Sequence, residues 1–248
     1  MQLHLSTWQE VDTYLEHSNG IIIPIGSTEQ HGPNGLIGTD AICPEVIAKG
    51  VAEKIEVLIA PTINIGMAQH HLAFAGSMTL RPSTLMAVIT DVVESLARHG
   101  FERCYFLNGH GGNVATLNTA FAEIYANTSL YSPDEDSPLR CKLSNWYMSP
   151  GVRRISRELF AGAEGSHATP SEVSLTYYAY PEAVKNVKMS PKRAPNGPIY
   201  TALDYRNRFP DGRIGSEPDL ASIEAGEKLF HAAVDDIAAD YQEFLKQN

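Results

Sequence analysis

Gly20-Ile-Ile-Ile-Pro-Ile25 runs directly into Gly26-Ser-Thr-Glu29-Gln-His31-Gly-Pro-Asn-Gly-Leu-Ile-Gly-Thr-Asp40, and this join decides the fold. Six apolar, mostly β-branched residues in a row read as a strand buried on both faces, because a half-exposed strand would alternate. The Gly- and Pro-containing stretch from Gly26 to Thr39 reads as a loop. Working outward, residues 41–54 read as a helix and Glu56 to Ala60 (EVLIA) as a second strand. Residues 82–99 place Leu85, Met86, Ile89, Val92, Val93 and Leu96 on one helical face, with Pro82 in the first turn and Gly100 as the stop. Arg103 to Leu107 (RCYFL) reads as a third strand, followed by a helix from near Asn113, and Arg140 to Trp146 as a fourth strand. Further helices are expected over residues 170–180 and from about Asp219 to Phe244. Strands alternating with helices predict an α/β fold whose mainly parallel sheet is covered on both faces. We expect one domain over residues 1–248. Ser132 to Pro138 (SPDEDSP) reads as an exposed surface loop, and residues 186–216, without periodicity, as a long loop of functional or interface type.

Composition narrows the function classes. With 43% hydrophobic and 19% charged residues, the chain has an ordinary globular make-up. A net charge of −10 argues against a broad basic face for nucleic acid. The first sixteen residues lack a basic segment followed by an apolar one, so they do not read as a signal peptide. No run approaches the roughly 18 apolar residues of a membrane helix. Cys43, Cys104 and Cys141 are odd in number, far apart and form no CxxC, so we expect reduced thiols in a cytoplasmic protein.

Three constellations carry chemistry. In the loop after the first strand, Glu29, His31 and Asp40 lie within twelve residues; in extended chain the Glu-x-His spacing puts both side chains on one side. Loops at the carboxyl ends of parallel strands line the ligand crevice, and an oxygen and nitrogen donor set suits Zn²⁺ or Mn²⁺ better than a thiolate-preferring metal. The bland alternative makes Asp40 the N-cap of the helix at 41. After the third strand comes Asn108-Gly-His110-Gly-Gly-Asn113, whose His110 is a candidate ligand. Its alternative is a Gly-rich anion loop at a helix N-terminus, although it lacks the P-loop ending. The third is Gly165-Ser-His167-Ala-Thr169-Pro-Ser-Glu172, in which Glu172 is either a ligand or the partner of Thr169 in a capping box, and His167 is a candidate proton carrier. His70 and His71 are adjacent, so at most one is expected to face a site. His4, His17, His99 and His231 read as surface residues. Trp146 reads as core or as a lid over substrate.

Taken in order, Pro24 to Asp40 (PIGSTEQHGP with its trailing TD), Phe106 to Asn113 (strand plus NGHGGN) and Gly165 to Leu175 (GSHATPSEVSL) resemble the creatininase (creatinine amidohydrolase) family. His71 to Leu80 and Gly212 to Leu229 are similar to further segments of it. The resemblance implies a three-layer α/β/α sandwich. It also implies two divalent ions per chain, Zn²⁺ or Mn²⁺ with Fe²⁺ as a further option, and a homo-oligomer, commonly a hexamer. The implied reaction is hydrolysis of a non-peptide C–N bond in a small cyclic or linear amide by metal-activated water. Carried over position by position, Glu29, His31, Asp40, His110 and Glu172 match metal ligands, with Asp40 the bridge. His167 matches a histidine near the substrate, and Trp146 an aromatic residue beside it; His71, Gly111 and Gly112 complete the expected substrate site. Creatinine-cleaving members carry Glu where this chain has Gly112, so the resemblance points to amide hydrolysis more firmly than to creatinine. Two other classes stay open at this point: a non-catalytic metal-binding or assembly protein on the same scaffold, and a phosphate-binding protein using Gly109 to Asn113.

Overall fold

The computed structural model describes residues 1–131 and 137–247. Most of the expected Ser132–Pro138 surface loop therefore lies outside the described residues. Four strands form one sheet: β1 (Gly20–Ile25), β2 (Leu58–Ile59), β3 (Arg103–Asn108) and β4 (Arg140–Asn145), in the order β2-β1-β3-β4. All pairings are parallel, with Ile21 beside Leu58, Ile23 beside Phe106 and Phe106 beside Leu143. Around the sheet run α1 (Trp8–Leu15), α2 (Thr39–Lys54), α3 (Pro82–Ala97), α4 (Val114–Tyr131), α5 (Pro150–Phe160), α6 (Pro170–Ala179), α7 (Ala202–Arg208) and α8 (Ile223–Leu245).

The unbroken apolar run in β1 has its cause in two cores. Ile21, Ile23 and Ile25 pack with Cys104 and Phe106 against Leu85, Ile89 and Val93 of α3 and Leu117 and Phe121 of α4. Ile22 packs on the opposite face with Tyr105 and Leu107, against Ile47 and Val51 of α2 and Leu229 and Tyr241 of α8. All four β1 isoleucines are inaccessible to solvent, and each contributes about 1.5–3 kcal/mol of burial free energy. The result is the three-layer α/β/α sandwich.

Several boundaries differ from the sequence reading, each for a local reason. β2 is confined to Leu58–Ile59: Ala60 still donates to Ile22, but Pro24 of β1 has no N–H to return to Ala60, and the next bond comes only from Ile63 to Pro24. β4 ends at Asn145, and residues 146–148 form a 3₁₀ turn. α8 starts at Ile223 rather than near 219, because the Ser222 side chain caps it and Pro218–Leu220 form a separate turn. α1, α5 and α7 have no counterpart in the sequence reading. α1 carries a Thr7/Glu10 capping box, and α7 lies inside the stretch 186–216 read as loop.

The strand order places a topological switch point between β1 and β3, since the chain leaves β1 for β2 on one side and returns to β3 on the other. Loops leaving the carboxyl ends of such strands diverge and open a crevice. α2 begins in that crevice. A side-chain carbon on Gly26 or Gly109, the first residues after β1 and β3, would lie 2.0 or 2.1 Å from the backbone oxygen of Asp40. Only glycine at both strand ends lets the first turn of α2 wedge between them. Gly109→Ala is therefore expected to displace that turn and destabilise the protein by about 1–3 kcal/mol. A wild-type urea midpoint in this variant would contradict the wedge.

Candidate active site

The wedge brings Asp40 to the carboxyl edge of the sheet. It is the second residue of α2, whose N-cap is Gly38, so Asp40 is not the helix cap that its position in the sequence allowed. Its carboxylate lies between two imidazoles: Oδ1 is 3.1 Å from His31 Nε2, and Oδ2 is 2.8 Å from His110 Nδ1. The far nitrogen of each ring fixes the tautomer. His31 Nδ1 donates to the backbone oxygen of Glu29 at 3.0 Å, and His110 Nε2 donates to the backbone oxygen of Met67 at 3.0 Å. A carbonyl only accepts, so in the neutral rings the lone pairs of His31 Nε2 and His110 Nδ1 both face the same carboxylate. Lone pair against carboxylate is repulsive unless a cation stands between them.

Glu29 and Glu172 complete the cluster. Glu29 is fully buried. Its Oε2 accepts from Ser27 at 2.8 Å and lies 3.3 Å from His110 Nε2, and its Oε1 lies 3.0 Å from His71 Nε2. Glu172 Oε1 lies 3.8 Å from His31 Nε2 while also accepting from the Thr169 backbone N–H. The capping box and the site position are therefore one arrangement rather than alternatives. Three groups of donors converge: Glu29–Asp40–His110, His31–Asp40–Glu172 and Glu29–His31–His167, with atoms in each within 4.8 Å of one another. The first two share Asp40.

Burial and charge together distort the titration of the cluster. Burial pushes His31 down, but the charge and hydrogen bond of Asp40, then Glu172 and Glu29, outweigh it and raise His31 to about 10. Burial likewise opposes His110, yet Glu29 and Asp40 raise it to about 9. Burial disfavours the charge on Asp40, but His31 and His110 hold it far below the usual carboxylate range. Burial, reinforced by Asp40, raises Glu29 and lifts Glu172 to about 7. Three carboxylates in one buried site demand compensating positive charge. Glu29 Oε1 and Asp40 Oδ2 are moreover buried without a well-directed hydrogen-bond donor. An all-oxygen-and-nitrogen donor set with orphaned carboxylate oxygens fits a divalent cation.

The cluster forms part of the lining of a cavity of about 830 Å³. Gly111 and Gly112 line it, as expected. His70 and His71 both reach it, where only one was expected, because they sit on a 3₁₀ turn rather than on an alternating strand. His71 is pushed down to about 2 by burial, then by His70 and His31. His167 donates from Nε2 to the Gln30 backbone oxygen at 2.7 Å, leaving Nδ1 3.8 Å from Glu29 Oε1. Trp146 does not line the cavity. The 3₁₀ turn after β4 sends its ring into the core beside Val152 and Leu229, and the next residue, Tyr147, lines the cavity in its place. Gln30 and Tyr205 are further members that the sequence reading did not identify. Gln30 Nε2 lies 3.0 Å from both His71 Nδ1 and Tyr205 Oη, a contact between residues 175 positions apart that leaves no local signal. His4, His17, His99 and His231 are exposed.

The sequence matches the creatininase family, described as creatinine amidohydrolase, over residues 4–241. The creatinine amidohydrolase of Pseudomonas putida is 28% identical, covering 94% of this chain and 92% of its own. The mycofactocin precursor peptide peptidase of Mycobacterium tuberculosis (strain CDC 1551 / Oshkosh) is 35% identical, covering 93% of this chain and 87% of its own. A solved structure described as "Creatininase Mn" shares the fold with a TM-score of 0.86 at 24% identity, covering 99% of each chain. The chain thus belongs to the creatininase family.

Proposed function

We propose that this protein is a divalent-metal-dependent amidohydrolase that cleaves a C–N bond in a small cyclic or linear amide. The observation that carries the proposal is the pair of donor triads sharing Asp40 in the wall of an open cavity. Glu29, Asp40 and His110 would hold one ion, and His31, Asp40 and Glu172 a second, Zn²⁺ or Mn²⁺ by donor chemistry. Divalent ions there supply Lewis acidity and lower the pKa of water from about 15.7 toward neutrality.

The chain's own residues do the rest. His71, kept neutral by burial, sets its Nε2 3.0 Å from Glu29 Oε1 and packs against that carboxylate. His167 has its Nε2 proton committed to Gln30, so its Nδ1 lone pair faces the site. Burial, then His31 and His71, hold it well below the usual histidine range, so it is neutral at rest and would carry a proton to the leaving nitrogen only transiently. Gly111 and Gly112 bring backbone close enough to contact substrate. The Tyr147 hydroxyl lines the same cavity and makes no hydrogen bond among the described residues. Burial, then Asp40 and Glu172, raise it to about 12, so it remains a donor at neutral pH and is placed to stabilise developing negative charge. Tyr147→Phe is expected to lower kcat about 10- to 100-fold with little change in KM. A loss confined to KM would assign Tyr147 to ground-state binding instead.

Elemental analysis coupled to hydrolysis assays on creatinine, formamides, other cyclic amides and short peptide amides tests the proposal. About two metal ions per chain and turnover of at least one amide are expected. Metal-loaded protein that hydrolyses none of them would reduce the reading to a metal-binding or assembly protein. We further propose a homo-oligomer, hexameric by family resemblance. Light scattering reads that state directly. Free Cys43, Cys104 and Cys141 suit a reducing compartment, and the cytoplasm is the location we propose. Among the described residues, no helix is long and apolar enough to cross a membrane.

A further inference from the structure

The proposed metal cluster accounts for only part of the cavity lining. Among the other charged residues that reach the cavity are Arg153 and Arg157, one helical turn apart on α5. Like charges at i and i+4 repel and cost stability; the last turn of α5 favours a cation at Arg157, but Arg153, a turn earlier, has no such compensation. The outer face of the same helix shows the usual remedy: Arg154 pairs with Glu158 at 3.5 Å. Among the described residues, neither Arg153 nor Arg157 has a carboxylate within 4 Å, although the chain carries ten more acidic than basic residues. Glu164 lines the same cavity, but its two oxygens accept from Ser156 at 2.6 Å and Ser171 at 2.8 Å. The Arg157 Nε–H donates to the Arg153 backbone oxygen at 3.0 Å. This tether orients the guanidinium and, among the described residues, leaves its two terminal nitrogens without a partner, open to a planar, bidentate acceptor.

We infer that Arg153 and Arg157 form a recognition site for a carboxylate carried by the substrate at some distance from the amide that is cleaved. The cavity, at about 830 Å³, has room for such an extension. The inference rests on the proposed amide hydrolysis for the word substrate, but the anion site itself stands on the unpaired arginines. The substrate class is therefore an amide with an anionic tail, held at one end by the donor cluster and at the other by α5.

Matched probes separate the two claims. N-acetylglycine, N-acetyl-β-alanine and N-acetyl-γ-aminobutyrate, each beside its neutral carboxamide, offer the same amide and differ only in the distal charge. Calorimetry on metal-loaded protein is expected to show the acid binding about tenfold or more tighter than its carboxamide at the best chain length. The Arg153→Gln/Arg157→Gln double variant should bring that ratio close to one, while Arg154→Gln on the outer face keeps it. A ratio near one in the wild type, or one that persists in the double variant, overturns the inference, the latter by showing that the carboxylate sits on the donor cluster. Hydrolysis followed in the same samples tells the readings apart. Turnover without any preference for the acid removes the anion site and leaves the amidohydrolase; a preference in binding with no turnover of any amide removes the hydrolase reading and leaves the anion site.

Discussion

Replacing Asp40 with alanine is expected to remove bound divalent metal and to lower kcat/KM by on the order of 10³-fold or more. The asymmetry between structural and functional cost makes this test informative. Structurally, Asp40 occupies the first turn of α2, where a negative charge interacts favourably with the helix dipole, a contribution of about 0.3–1 kcal/mol. Alanine is itself a strong helix former, so the fold should survive. Functionally, Asp40 is the residue shared by the two triads proposed to hold metal, Glu29–Asp40–His110 and His31–Asp40–Glu172. Its loss leaves Glu29 with His110, and His31 with Glu172, as two incomplete pairs. A tenfold rate loss corresponds to about 1.4 kcal/mol, so a 10³-fold loss needs about 4 kcal/mol, far beyond the helix term. Metal content by mass spectrometry, circular dichroism and kinetics on one sample make the comparison. Full metal occupancy with more than about a tenth of wild-type activity would show that Asp40 is not the shared ligand.

The legibility of Asp40 in the sequence was partial, and the reason is physical. Glu29, His31 and His110 advertise themselves because each follows a strand of unmistakable apolar character and sits in glycine-rich chain that has no structural need of them. Asp40 and Glu172 are camouflaged, because carboxylates are also what the first turn of a helix prefers. Sequence alone offered cap or ligand, and the structure shows that Glu172 serves the capping box and faces His31 with one and the same carboxylate. The failures have a common source in local periodicity. Residue by residue, Trp146 reads as core or lid, and only the resemblance sets it beside the substrate; the structure puts it in the core, and the 3₁₀ turn after β4 brings Tyr147 to the cavity instead. The same kind of turn brought both His70 and His71 to the cavity. α5 could have been found, since Pro150 stands at its first turn and Val152, Ser156 and Phe160 repeat every fourth residue as its buried face. The Gln30–Tyr205 contact could not, because it depends on where α7 docks, which no local pattern encodes.

Stripping the metal is expected to leave a protein whose stability falls steeply as pH rises from 7 to 10, while the metal-loaded form stays nearly flat over that range. In the metal-free cluster, protons on His31 and His110 supply the positive charge that Glu29, Asp40 and Glu172 require. These histidines are raised to about 10 and about 9. A histidine raised in the folded state contributes stability that is fully present below its unfolded value near 6.5 and is lost as pH climbs through the folded value. The loss thus extends from about pH 6.5 to 9 for His110 and to 10 for His31. Two such groups give a slope on the order of 2 kcal/mol per pH unit between 7 and 9. Asp40, Glu172 and His71 act mainly outside that range. Asp40 is lowered, so its contribution is lost only as pH falls below the usual carboxylate range; Glu172, raised to about 7, costs stability between about 4.5 and 7; His71, lowered to about 2, costs stability only below about 6.5. As metal ligands both His31 and His110 are neutral, so loading at pH 7 should release about two protons, and that release should fade toward pH 10. Titration calorimetry in two buffers of different ionisation enthalpy counts the protons. Thermal melts with and without chelator at pH 7 and pH 9 read the stability gap, expected to widen by several kcal/mol. A gap that stays constant between the two pH values, or metal uptake without proton release, would mean that His31 and His110 do not exchange protons for metal, and the two-triad assignment would fall with that exchange.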